Sequence, residues 1–227
     1  MPAPDPAPGS AEGRGSGAGP GSAATAGADL ALLVEAARAA GEIALGHWRQ
    51  APKVWEKDGD EGPVTEADYA VDAALRRALQ GARPGYGWMS EETPDTAADR
   101  ARRTLFIVDP IDGTRAFVKG EEAWAHALAV VTDGVSVAAV VYLPAKGRLY
   151  AAAAGAGATL NGVPIAAVAG PPGLDSAQML VTRPNLAPQL WRRPVPGLTR
   201  HFRPSLAYRL ALVAEGRFDG MLTLRDS

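Results

Sequence analysis

Phe106-Ile107-Val108-Asp109-Pro110-Ile111-Asp112-Gly113-Thr114-Arg115-Ala116-Phe117 is the stretch that decides how this chain reads. An apolar β-type run ends in two aspartates three residues apart, and Gly-Thr follows at once. Open α/β sheets bind ligands at the carboxyl ends of their strands, so these acidic oxygens stand where a ligand is expected. Pro110 has no N–H and is expected to end the ladder, while Gly113 lets the backbone approach a ligand closely. Free N–H groups beyond Gly113 suit an anion. Carboxylates for a hard cation beside amides for a phosphate suggest metal-assisted phosphate chemistry.

Composition narrows the alternatives. The chain has 227 residues, 47% of them hydrophobic, which supports one sizeable domain or two small layers with an ordinary core. A formal charge of −2 gives no electrostatic footprint for a nucleic acid polymer or an anionic membrane. Zero cysteines exclude disulfides, thiolate catalysis and Cys-based zinc sites. No apolar run is long enough to span a bilayer and the N-terminus has no secretory h-region, so a cytoplasmic soluble protein is the default reading.

Outward from the central stretch, residues 1–28 are Ala, Gly, Pro or Ser at 23 positions, a composition that predicts a disordered tail. Asp29 is expected to cap a helix through about Arg49, with Leu30, Leu33, Val34, Ala37, Ile43 and Leu45 as its apolar stripe. His47 and Trp48 read as packing residues. Lys53–Pro63 is polar and Gly-bearing, a loop or hairpin in which Lys57 alone would be a solvated charge. Thr65 caps a second helix through about Leu79, with Asp68 in its first turn, where a dipole-complementing carboxylate is common.

A short strand at Gly87–Ser90 runs into Glu91-Glu92. A second strand ends in Asp109, so both acidic clusters are placed to meet at one sheet edge. Thr93–Arg103 is a polar connector. Strands are expected at His126–Thr132, Val135–Leu143 and Arg148–Ala153, with Asp133-Gly134 as a hairpin turn. Gly155–Gly162 lacks the spacing of a nucleotide-binding loop and reads as a turn between strands. Gln178–Thr182 predicts a strand, Pro184–Arg203 an irregular segment, Ser205–Glu215 a helix and Arg217–Leu224 a strand.

Three motifs in order, Val64-Thr65-Glu66-Ala67-Asp68, Ser90-Glu91-Glu92 and the central stretch, resemble the signature of the inositol monophosphatase superfamily, from about Asp29 to the last residue. The resemblance implies an α/β layered fold, the α-β-α-β-α sandwich of the inositol monophosphatase/fructose-bisphosphatase type. It divides the chain into a tail (1–28), an α+β part with the metal site (29–154) and the start of a second α/β part (155–227). It implies Mg²⁺, two or three ions, with inhibition by Li⁺. Glu91, Asp109, the Ile111 carbonyl and Asp112 are the implied metal ligands, with Glu92 behind them. Asp68 and Thr114 would activate the attacking water. Gly113, Thr114, Arg115 and Lys57 would meet the phosphate or substrate. The partner is then a small-molecule phosphate ester, and a homodimer stays open. The family continues with a Trp-Asp pair that supplies a further ligand. No such pair occurs here and Asp226 has the wrong neighbours, so the expectation is a C-terminally incomplete fold, marginal in stability.

Two rivals fail on spacing. An EF-hand loop counted from Asp109 puts Ile111 at its third position and Gly120 at its twelfth, and no nucleophile elbow of the G-x-S-x-G type occurs. An inactive or regulatory fragment survives as a rival. For the substrate, Asp112-Gly-Thr-Arg115-Ala-Phe117, the segment around His126 and Pro204-Ser-Leu-Ala-Tyr-Arg209 look closer to the 3′(2′),5′-bisphosphate nucleotidase (CysQ-like) branch. The expectation is therefore a Mg²⁺-dependent phosphomonoesterase that converts adenosine 3′,5′-bisphosphate to AMP, with inositol-1-monophosphatase and histidinol-phosphatase as alternatives. Arg115 is a sensible cation for a second phosphate.

Overall fold

The computed structural model of the chain describes residues 23–57, 62–171 and 173–223. Along it run α1 (Ala23–His47), β1 (Val54–Glu56), β2 (Pro63–Thr65), α2 (Glu66–Ala82), β3 (Gly87–Ser90), α3 (Ala97–Arg100), β4 (Thr104–Asp112) and α4 (Thr114–Val118). Then follow β5 (Ala125–Thr132), β6 (Val135–Leu143), β7 (Arg148–Ala153), β8 (Gly157–Leu160), β9 (Val163–Ile165), β10 (Gln178–Val181), β11 (Thr199–His201), α5 (Leu206–Ala214) and β12 (Gly220–Leu222).

A seven-stranded sheet takes the order β3-β4-β5-β6-β7-β8-β9. Only β3 and β4 are parallel within it. Helices α1 and α2 cover one face, where Leu33, Val71, Leu75, Phe106, Val130 and Val140 share a buried core. Helix α5 lies on the other face, and Tyr208 and Leu212 pack with Leu143, Tyr150 and Leu180. Beyond α5 stands a parallel three-stranded sheet, β11-β10-β12. The layered α/β architecture read from the sequence is present.

Several boundaries moved for physical reasons. Helix α1 begins at Ala23, so Asp29 is not its cap, and residues 23–28 are helical rather than tail; residues 1–22 lie outside the described set. Asp29 is buried and bonds Arg83 Nε at 2.9 Å and Tyr86 Oη at 3.0 Å, which tethers α1 to the end of α2. The buried stripe of α1 is largely small: Ala36, Ala37, Ala40, Gly41 and Ala44, with Leu33. A Cβ on Gly41 would stand 2.6 Å from the Tyr142 ring, so the helix approaches the sheet as far as a glycine allows. Leu30, Val34, Ile43 and Leu45 pack at the margins of the same core. Asp133 (φ 52°) and Gly134 (φ 78°) make the β5–β6 turn, as their sequence suggests. The sheet also runs past position 154 into β8 and β9, so the boundary expected there falls inside it. Asp219 ties β12 to β10 by accepting from the Gln178 N–H at 2.7 Å, while Asp226 lies outside the described residues.

Removing the Asp29 carboxylate should cost about 1–2 kcal/mol, because the buried tether between the two core helices is lost. Urea midpoints of native and Asp29→Ala chains measure this. Equal midpoints would mean that the tether contributes nothing.

Candidate active site

Strand β4 does not stop at Asp109. It continues through Pro110 to Asp112, against the expectation that the proline ends it. The ladder absorbs the proline through a bulge: Asp109 pairs with Ala127 and Asp112 with Ala125, so Pro110 and Ile111 together oppose His126. The bulge matters because residues three apart on a regular strand face opposite sides. Phe106 and Val108 belong to the helix-side core, and after the bulge so does Ile111. Asp109 and Asp112 consequently both turn to the other side, where they line one cleft of about 810 Å³.

The carboxylates come to that cleft from separate elements. Glu91 follows β3, and its N–H donates to the Val108 carbonyl at 3.1 Å, extending the parallel ladder past Ser90. The Ser90-Glu91-Glu92 turn is held from below by Asp72, buried on α2, which accepts from Ser90 Oγ and from Thr93 Oγ (2.9 Å). Asp68, one helical turn earlier, accepts from Thr65 N at 2.8 Å and Thr65 Oγ at 2.6 Å in a capping box. Its second oxygen lies 3.4 Å from Thr114 Oγ, which also donates to the Ile111 carbonyl at 3.1 Å. Asp68 thus caps its helix and faces Thr114, and the two roles coexist. Gly113 takes φ 96° at the turn into α4, and a Cβ there would press on the Ala123 carbonyl at 3.2 Å.

Asp112 is gripped from the far side. Ser205 Oγ and the Ala207 N–H both donate to its Oδ2 at 2.6 Å, so the first turn of α5 fixes the carboxylate. Arg148 and Tyr150 on β7 bond Glu215 at the other end of α5 and hold that helix to the sheet. Thr182, Asn185, Phe202 and Arg209 close the outer wall of the cleft.

Burial pushes the Asp109 carboxyl well above its ordinary range, and the neighbouring Glu91 and Asp112 charges push it further. Desolvation likewise raises Asp68, against the hydrogen bonds from Thr65. Asp109 Oδ1 is buried with no hydrogen-bond partner among the described residues. An orphaned carboxylate oxygen among like charges fits a hard cation held by oxygen ligands. Among the described residues, no three acidic or imidazole groups are already gathered for a metal ion. The Lys57 ammonium bonds Glu91 Oε1 at 2.9 Å and Glu92 Oε1 at 2.8 Å. Burial lowers the Lys57 pKa, but the bonds to Glu92 and Glu91 outweigh it and drive the pKa upward. Lys57 is therefore an ion-paired, largely buried group rather than a solvated charge, and it is not among the residues that line the cleft.

Of the residues singled out by sequence, Glu91, Asp109, Ile111, Asp112, Gly113, Thr114 and Arg115 line the cleft, and Asp68 stands behind Thr114. Glu92 is nearly buried behind Glu91, with burial raising its carboxyl against Lys57. Arg115 is exposed, with its guanidinium over Gly62. Asp72, Ser205 and His126 were missed. Asp72 alone had a signal, its i+4 spacing from Asp68 on the buried face of α2.

The fold is layered α/β, and acidic side chains of β4 and of the turn after β3 line one cleft. The model of the inositol monophosphatase family matches residues 28–226, and the chain belongs to that family. A histidinol-phosphatase of Chlorobaculum parvum is 36% identical over 138 residues, 60% of this chain and 52% of that protein. An inositol-1-monophosphatase of Rhizobium meliloti is 41% identical over 99 residues, 43% of this chain and 36% of that protein. The chain thus spans about half or less of the curated relatives it matches. The solved inositol monophosphatase of Thermotoga maritima superposes with a TM-score of 0.75 at 26% identity, over 88% of this chain and 77% of that one. Among the described residues no helix is long and apolar enough to cross a membrane.

Two outcomes follow from the electrostatics. Asp109→Asn removes a buried charge that its neighbours repel, so it should stabilise the chain by about 1 kcal/mol. Paired thermal melts decide this, and a less stable Asp109→Asn chain would refute it. Burial also lowers the His126 pKa from 6.5 to about 4. Between those values the unfolded chain takes up a proton that the folded chain refuses. Stability therefore falls as pH drops through this window, by up to about 3 kcal/mol. The native chain should lose more stability than His126→Leu between pH 7 and pH 4.5, and parallel losses would contradict the assignment.

Proposed function

We propose that the cleft hydrolyses a small phosphate monoester with the help of Mg²⁺. The observation that carries this reading is the convergence of Asp109 and Asp112 on one side of β4, with the Asp68–Thr114 pair next to them. Glu91, Asp109, the Ile111 carbonyl and Asp112 would hold the cation, which when bound supplies positive charge for the phosphoryl oxygens. Thr114 Oγ orients the attacking water, and Asp68, whose carboxyl burial raises against the Thr65 hydrogen bonds, receives its proton. The N–H groups at Gly113 and Thr114, which open α4 and so have no intrahelical acceptor, face the phosphate. The outer wall of Asn185, Phe202 and Arg209 meets the organic part of the ester.

The ester we propose is a monophosphate, histidinol phosphate first and inositol 1-phosphate second, supported by the names of the two relatives above. These relatives favour that reading over adenosine 3′,5′-bisphosphate, which rested on the likeness of the segments at Asp112–Phe117, around His126 and at Pro204–Arg209 to the bisphosphate nucleotidase branch. Phosphate release from all three compounds, with Mg²⁺ and with Li⁺ as inhibitor, tests the proposal. Histidinol phosphate or inositol 1-phosphate should be hydrolysed, and Asp112→Asn should lower the rate on the order of 100-fold. Release from the bisphosphate alone would overturn the substrate choice, and no Mg²⁺-dependent release from any of them would overturn the function.

A further inference from the structure

His126 is fully buried on β5, opposite the two bulged residues Pro110 and Ile111. Its Nδ1 meets the Pro110 carbonyl. A carbonyl can only accept, so Nδ1 carries the ring proton. Trp124 (ring centroids 5.7 Å) and Tyr142 (6.3 Å) pack against the imidazole and restrict its swing. Its Nε2 is buried with no partner among the described residues, a cost that an aliphatic residue at this core position would avoid. The compensating gain has to lie at Nδ1, and Nδ1 touches the backbone of the bulge.

We propose that His126 is a positioning residue: the hydrogen bond from its Nδ1–H to the Pro110 carbonyl holds the bulge that turns Asp109 and Asp112 to the same side of β4. The imidazole gives a donor to the Pro110 carbonyl, at a residue that has no N–H of its own to offer the ladder. It touches neither substrate nor cation. It sets which face Asp112 presents, and with it the position of the Ile111 carbonyl. The catalytic consequence rests on the function proposed above, whereas the control of the bulge does not.

Mn²⁺ binding, read by loss of the free-ion electron paramagnetic resonance signal, separates the two ideas. Failure of the native chain to bind Mn²⁺ would overturn the proposed cation site alone, and the tautomer of the native ring in nitrogen-15 spectra would then decide the bulge contact, an Nε2-protonated ring overturning it. If the native chain binds, His126→Leu should bind about tenfold or more weakly while keeping native circular dichroism. His126→Asn, which keeps a donor near the Nδ1 position, should recover most of the affinity. Equal affinity of native and folded His126→Leu chains would overturn the proposal. Should His126→Leu fail to fold, nitrogen-15 spectra of the native histidine decide. An Nδ1-protonated ring whose resonance shifts on saturation with Mg²⁺ supports it, and an Nε2-protonated ring or an unmoved resonance overturns it.

Discussion

The site depends on a two-for-one mismatch in one strand pair. With a regular ladder through β4, Asp109 and Asp112 would face opposite sides of the sheet, and no shared cation site could form. The bulge at Pro110–Ile111 reverses the alternation, so Ile111 joins the helix-side core while both aspartates turn to the cleft. Proline favours this arrangement because it has no ladder donor to lose. One backbone irregularity thus brings two carboxylates of a core strand to one cleft without ending the strand.

Around that bulge each layer contributes one restraint. Helix α2 supplies Asp68 toward Thr114 and, one turn on, Asp72 beneath the Glu91 turn. Helix α5, from the opposite face of the sheet, closes on Asp112 through Ser205 and Ala207. The layering is therefore what assembles the site: carboxylates on adjacent strands, buttressed from both faces. Burial, and after it the Glu91 and Asp112 charges, raise the Asp109 carboxyl, so its ionised form works against the folded state. Functional sites commonly store destabilisation in this way.

Much of this was legible in the sequence because it was local. The Thr65 cap, the Asp133-Gly134 hairpin and the apolar strands declare themselves within a few residues, and the ordered acidic motifs identify the strand that matters. What stayed hidden was non-local. Asp29 looks like a helix cap until Arg83 and Tyr86 are seen to claim it. Lys57 looks solvated until Glu91 and Glu92 fold over it. Pro110 reads as a strand terminator because nothing local announces the bulge against β5 that accommodates it, and Ser205 and His126 are ordinary residues until topology brings them to Asp112 and Pro110. Residue type and spacing reveal ligands more readily than they reveal the groups that aim them.

A crystal of the chain soaked in Mn²⁺ and measured at an anomalous wavelength would test the central claim most directly. The account predicts an anomalous peak on the side of β4 shared by Asp109 and Asp112, within ligand distance of both carboxylates and near Glu91. At saturating Mn²⁺, the absence of a peak there, or the two carboxylates on opposite faces of the strand, would contradict it.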